Sequence, residues 1–204
     1  MPFALEYGLT DRLELMVEPV AYTSIRPKAG RHANGAGDIE VTLTYRFHDE
    51  SSRLPAFAVA GEIKVPTARN QFIGTGKTDY AAYFSESKRF GQLDTHAHVS
   101  YTFVGQPSGV QLGNIFGLGI AAVYPVRTRV DIFGEILTNS ASTPGGEGGG
   151  AAGLPVVPEA AGGEFIGTVG TAWRARSRVT LYVSGSRDNI GALQLRTGFV
   201  LRPR

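Results

Sequence analysis

Cysteine is absent from the chain, which excludes a disulfide framework, thiolate chemistry and cysteine metal sites. No apolar run approaches the length of a membrane-crossing helix. That excludes a transmembrane helix but not a transmembrane barrel, whose strands hide their hydrophobicity in alternation. An excess of either charge is also missing: 20 Lys and Arg stand against 18 Asp and Glu, a net of +2. The basic residues scatter through turns and strand ends, so nucleic acid is not an expected partner. The start, Met1-Pro2-Phe3, runs directly into strand-like sequence and carries none of the three regions of a signal peptide.

What the chain has is alternation. Ile39, Val41, Leu43, Tyr45 and Phe47 take turns with Glu40, Thr42, Thr44, Arg46 and His48, giving a strand one apolar and one polar face. The run is about ten residues, above the usual soluble strand and near the nine to eleven that a tilted strand needs to cross a bilayer. Thr95, Ala97, Val99, Tyr101 and Phe103 repeat the pattern against Asp94, His96, His98, Ser100 and Thr102.

Taken in order, strands are expected over Pro2 to Gly8, and from Leu13 past Val17, with an early end or bulge after Pro19. Others are expected at Ile39 to His48, Phe57 to Val65, Thr78 to Phe90, Asp94 to Phe103, Phe116 to Tyr124, Val130 to Ile136, Phe165 to Trp173, Val179 to Ser186 and Leu193 to Leu201. The Thr78 strand changes character, because Tyr80, Ala82 and Phe84 share a phase with Glu86 and Lys88; a bulge near Ser85 would reconcile the two halves. A turn is expected at Pro125-Val126-Arg127. Ser24 to Gly37 reads as a polar loop, and Asn139 to Gly163, nearly all Gly, Ala, Pro and Ser, as a long mobile surface loop.

Connections alternate in length, short at Thr10, Glu50, Gln92, Val126 and Ala175 and long between, as in outer-membrane barrels with short periplasmic turns. Tyr7, Phe47, Phe57, Phe90, Tyr124 and Trp173 fall at the short-turn ends, while Tyr22, Tyr80, Phe103, Phe116 and Phe165 fall toward the long-loop ends. Two aromatic girdles are what a membrane barrel requires. The fold expectation is therefore an all-β, antiparallel up-and-down transmembrane barrel, one domain over the 204 residues. About eleven strands are countable, and even numbers are usual, so the expectation is a barrel of about twelve whose first strand and signal lie upstream.

Several segments, quoted as they stand, resemble a known family: Gly37-Asp38-Ile39-Glu40-Val41, Leu43-Thr44-Tyr45-Arg46, Pro55-Ala56-Phe57-Ala58-Val59, Glu62-Ile63-Lys64-Val65-Pro66-Thr67 and Gly74-Thr75-Gly76. The early Tyr7-Gly8-Leu9-Thr10-Asp11-Arg12-Leu13 is similar to that family's recurring turn. The family is the outer-membrane group labelled MetA-pathway of phenol degradation. The resemblance implies a bacterial outer-membrane barrel that moves hydrophobic or aromatic compounds, and it supplies no catalytic residues.

The candidate functional residues are those on the polar faces: Glu14, Glu18, Glu40, Arg46, Glu62, Lys64, His96, His98, Arg129, Asp131, Glu135, Gln194 and Arg196. They either line a hydrated conduit or pair across the lumen and plug it, since buried charges must be paired. Gly74-Thr75-Gly76-Lys77-Thr78 resembles a phosphate loop, but Gln71 stands where a glycine is needed and strand-like sequence follows. His96, His98 and Asp94 share a face without a facing partner, so hydrated lumen side chains are preferred to a metal site. The expected function is a channel or passive transporter for small, hydrophobic or aromatic molecules, with membrane lipid as partner, no cofactor and no enzymatic activity. The alternative is a closed barrel acting through its outer loops; a soluble β-sandwich binding module is the third reading.

Overall fold

In the computed structural model, residues 3–25, 32–70, 72–142 and 163–202 are described. The expected long loop at Asn139 to Gly163 lies for the most part outside them. Among the described residues thirteen strands run in order: β1 Leu5–Gly8, β2 Leu13–Pro19, β3 Thr23–Ile25, β4 Ala33–Gly35, β5 Ile39–His48, β6 Ala56–Val65, β7 Asp79–Phe90, β8 Leu93–Phe103, β9 Ile115–Arg127, β10 Val130–Asn139, β11 Glu164–Arg176, β12 Val179–Asp188 and β13 Leu193–Leu201. Eleven form one antiparallel meander, β1-β2-β5-β6-β7-β8-β9-β10-β11-β12-β13, and β3 pairs with β4 as a separate hairpin. Every neighbour in the sheet is a neighbour along the chain apart from that inserted hairpin, and among the described residues the two-stranded β3–β4 pair is the only other sheet, too small to make a sandwich.

The short turns are built from local hydrogen bonds. Thr10 Oγ1 accepts from the N–H of Leu13 at 3.0 Å, closing β1 onto β2, and Ser51 Oγ accepts from Leu54 N–H at 3.0 Å between β5 and β6. The β7 to β8 turn is only Gly91-Gln92, and Gly91 takes φ +64°, a conformation that favours glycine.

Two expectations are corrected. β7 keeps an unbroken register against both neighbours, from Ala56↔Ser87 to Lys64↔Asp79 on one side and from Tyr80↔Phe103 to Phe90↔Leu93 on the other, so there is no bulge near Ser85. Glu86 stays on the apolar face, one step below Phe84, where the strand leaves the apolar zone. β9 runs through Pro125 to Arg127, and the turn falls at Thr128-Arg129; a register shift between Val130 and Asp131 takes up the irregularity that proline introduces. The polar loop after β2 also holds the β3–β4 hairpin, whose three-residue strands are too short to carry a readable period. Pro19 does end β2, as expected.

The rows of paired residues climb. Phe57 near the turn end of β6 is in line with Glu86, Ala97, Ile120, Ile136, Gly167 and finally Arg187 at the loop end of β12. This stagger is what tilts strands and lets a sheet curl into a barrel. β1 and β13 are the outermost strands, and each pairs on one side only among the described residues.

The hydrophobic residues are inside out for a soluble protein. Among the described residues, only Ala33, Ala81 and Val110 are buried hydrophobics, and no large side chain is fully buried. Exposed instead are Tyr45, Phe84, Tyr101, Phe116, Ile120, Ile136, Val169, Leu195 and many others on one face of the sheet. Each such side chain is worth about 1.5–3 kcal/mol when removed from water. A continuous band of them needs an apolar surrounding, and lipid supplies it. The short-turn aromatics Tyr7, Phe90, Tyr124 and Trp173 share that face, and Phe47, Phe57 and Phe84 stack there with ring centroids 5.7–6.3 Å apart.

Candidate functional site

The opposite face is polar, and register shows which of its residues meet. Glu18↔Glu40↔Lys64↔Asp79 form one row, Met16↔Thr42↔Glu62↔Ala81 the next, and Glu14↔Thr44↔Ala60↔Tyr83 the next. Three adjacent strands thus bring Glu14, Glu18, Glu40 and Glu62 onto one wall. Glu62 is the hub: its Oε2 accepts from Thr42 Oγ1 at 3.2 Å and from the Tyr83 hydroxyl at 3.0 Å. Tyr83 and Thr42 escaped the sequence reading, since uncharged polar residues at strand period carry no signal until register pairs them with a carboxylate.

Cations on this face are mostly neutralised. Lys64 Nζ lies 2.6 Å from Asp79 and 3.7 Å from Asp38. Arg46 meets Asp49 at 2.9 Å, Arg89 pairs with Asp94, and Arg174 reaches Asp131 at 2.7 Å. By contrast, Glu14, Glu18, Glu40, Glu62 and Glu135 make no ion pair within 4 Å among the described residues. Arg196 on β13 donates to Gln194 Oε1 at 3.1 Å and shares a row with Ser184. At the short-turn rim Arg12 joins Arg46 on Asp49, and Lys88 lies 3.3 Å from Glu50. Glu50, in the turn, has its carboxyl held below the usual range, first by the Arg89 backbone N–H at 3.0 Å and then by Lys88.

The far side of the polar face is different. His96, His98, Asp131, Glu135, Gln194 and Arg196 all fall on it; of its carboxylates, Asp131 is paired with Arg174, while Glu135, Asp188 and Glu164 lie in successive rows at the loop end of β10, β12 and β11. Its lining is smaller and less polar: Gly117, Gly119, Ala121, Val123, Phe133, Leu137, Ile166 and Gly170 share the face. His96 is engaged with Ser87 Oγ at 2.8 Å, and His98 meets the edge of Tyr83 with centroids 6.2 Å apart. Arg129, expected here, sits in the β9–β10 turn and is exposed, so it belongs to the rim and not to the wall. No group of three His, Asp or Glu residues able to hold a metal ion occurs among the described residues. After Gly74-Thr75-Gly76 comes strand β7, not the helix that a phosphate loop needs.

A polar inner face, an apolar outer face with an aromatic belt, staggered rows and an unbroken meander define the architecture. This is the fold of the outer-membrane porins. Three solved structures share it: the KdgM porin in complex with disordered oligogalacturonate, with TM-score 0.65, 11% identity, and coverage of 100% of this chain and 91% of that one; the NanC porin, 0.68, 10%, 99% and 92%; and the COG4313 outer membrane channel from Pseudomonas putida F1, 0.67, 14%, 97% and 78%. No family model and no curated protein matches the chain, so the label MetA-pathway of phenol degradation stays a resemblance.

Proposed function

We propose that the chain resides in a bacterial outer membrane and forms a passive channel for small water-soluble molecules, favouring cations over anions. The observation that carries this reading is the unpaired wall of Glu14, Glu18, Glu40 and Glu62 on β2, β5 and β6, beside cations that are nearly all matched to aspartates. A plugged lumen would need these carboxylates neutralised, because unpaired charges are not buried dry. Fully hydrated, they cost little and attract counter-ions. The porin and channel neighbours support the same reading at the level of architecture.

Solutes with an aromatic or aliphatic part remain compatible with it. Val123, Phe133, Leu137 and Ile166 put an apolar stripe on the polar face of β9–β11, so a small molecule with a hydrophobic body and a cationic or hydroxyl-rich edge suits the mixed lining. Swelling of lipid vesicles containing the protein tests the proposal. Vesicles in isotonic small cationic or neutral solute should swell, and those in an anionic solute of equal size should swell more slowly; no swelling in any solute would sink the channel and favour a closed barrel acting through its loops.

A further inference from the structure

Three bulky side chains of the polar face share one arrangement. His98 on β8, Phe133 on β10 and Tyr182 on β12 each have a glycine as direct register partner on the following strand: Gly119 on β9, Gly170 on β11 and Gly198 on β13. In each pair the ring lies across the glycine. A methyl group at Gly119 would overlap the His98 imidazole, and one at Gly198 would overlap the Tyr182 phenol, the three nearest atoms in each case belonging to that ring. At Gly170 the obstacles are the Phe133 ring and also the Val183 carbonyl, 2.7 Å from the added carbon. Ser100 and Asn139 close over Gly117 in the same manner. All three rings lean the same way round the sheet, from β8, β10 and β12 onto the next strand.

A ring that stands up from the wall of a barrel of this strand number occupies a large part of the interior, which lies between the filled eight-stranded and open sixteen-stranded types. A ring laid over a glycine occupies almost none, and it covers backbone that glycine leaves bare. We infer that Gly119, Gly170 and Gly198 are bore-setting residues: they seat His98, Phe133 and Tyr182 flat against the wall and thereby keep this half of the lumen open. The inference rests on the channel reading and adds the residues that set its width. The pattern also explains why aromatic and imidazole groups on a polar face do not obstruct it. Among the described residues, the outer-face glycines Gly61, Gly167 and Gly185 have no ring over them, and on the acidic half Tyr83 turns its hydroxyl back to Glu62.

The test uses the full chain in planar bilayers. Gly119→Val and Gly198→Val should each lower single-channel conductance by about half or more, since the displaced ring enters an interior of intermediate width. The double variants Gly119→Val/His98→Ala and Gly198→Val/Tyr182→Ala should recover the wild-type level, as the ring is no longer there to be lifted. Equal conductance in the single glycine variants and the wild type would overturn the inference and leave the channel standing. Failure of the double variants to recover would also overturn it, because the glycines would then act in some other way. A wild type that inserts without conducting would overturn the channel reading and the inference with it. If the valine variants do not fold, NMR of the wild type in detergent micelles decides: the Gly198 Hα resonances should be displaced upfield by the Tyr182 ring and return to the ordinary range in Tyr182→Leu. Undisplaced resonances in the wild type would refute the seating outright.

Discussion

The two halves of the inner wall solve the same problem with opposite chemistry. On β2, β5 and β6 the wall carries Glu14, Glu18, Glu40 and Glu62, with Thr42 and Tyr83 donating to Glu62 and the one lysine of the wall, Lys64, paired with Asp79 and Asp38. On β8 to β13 it carries glycines with rings laid over three of them, and its unpaired carboxylates gather at the loop end. On the proposed channel reading, one half sets the electrical character of the interior and the other its width. The difference teaches that a polar face at strand period is not a single functional unit: charge does its work where adjacent strands repeat the same sign, and shape does where a large residue meets a small one across a ladder.

The comparison breaks most visibly if its electrical half is removed. A carboxylate about 4 Å from a passing ion is worth about 1 kcal/mol in water, or about fivefold in occupancy. Glu14→Gln, Glu18→Gln, Glu40→Gln and Glu62→Gln combined should therefore cut the cation-to-anion permeability ratio about fivefold or more, read as a reversal potential moving toward zero. Glu135→Gln, a carboxylate on the other half, should shift it far less; an equal shift would mean that the wall is not divided.

A smaller effect is expected at Lys64→Met. The substitution leaves Asp79 and Asp38 facing each other without their shared ammonium, and the pair is largely shielded from solvent. It should lower stability by about 1–3 kcal/mol, the cost of orphaned charged partners, measured by urea unfolding in vesicles. It should also increase the preference for cations. Tyr83→Phe removes one of two donors to Glu62 and should cost about 1 kcal/mol by the same assay. An unchanged midpoint would show that the hydroxyl is satisfied equally well by water.

The smallest effect sits at the rim, outside both halves. The Glu50 carboxyl is held below its ordinary range by the Arg89 N–H and by Lys88. A depressed folded-state value means that its contribution is present above the unfolded value and fades as pH falls through the folded one. Glu50→Gln should therefore lower stability slightly near neutrality and flatten the acid side of the profile, the difference from wild type vanishing once Glu50 is protonated. A change confined to alkaline pH would contradict this sign.

Much of the fold was legible because lipid-facing strands must alternate. Ile39 to His48 and Leu193 to Leu201 match β5 and β13 residue for residue, and the sorting of Tyr7, Phe90, Tyr124 and Trp173 to one end anticipated their place on the outer face. Misreadings arose where the local pattern conflicts with the ladder. Glu86 and Lys88 on β7 looked like a phase change, yet they mark only the end of the apolar zone on a strand longer than that zone is tall. Pro125 looked like a turn, and the sheet carries it one residue short of a register shift. The polar face was legible as a set of residues and not as an arrangement. Every charged candidate but Arg129 is on the polar face, but the contrast between halves and the seating of rings over Gly119, Gly170 and Gly198 depend on cross-strand register, which no single strand's sequence contains.

Single-channel recording across a salt gradient tests the central claim most directly. The protein in a planar bilayer, with concentrated potassium chloride on one side and dilute on the other, should give steady conductance and a reversal potential of the sign that marks potassium as the more permeant ion. Insertion with no conductance, or a reversal potential of the opposite sign, would contradict the account.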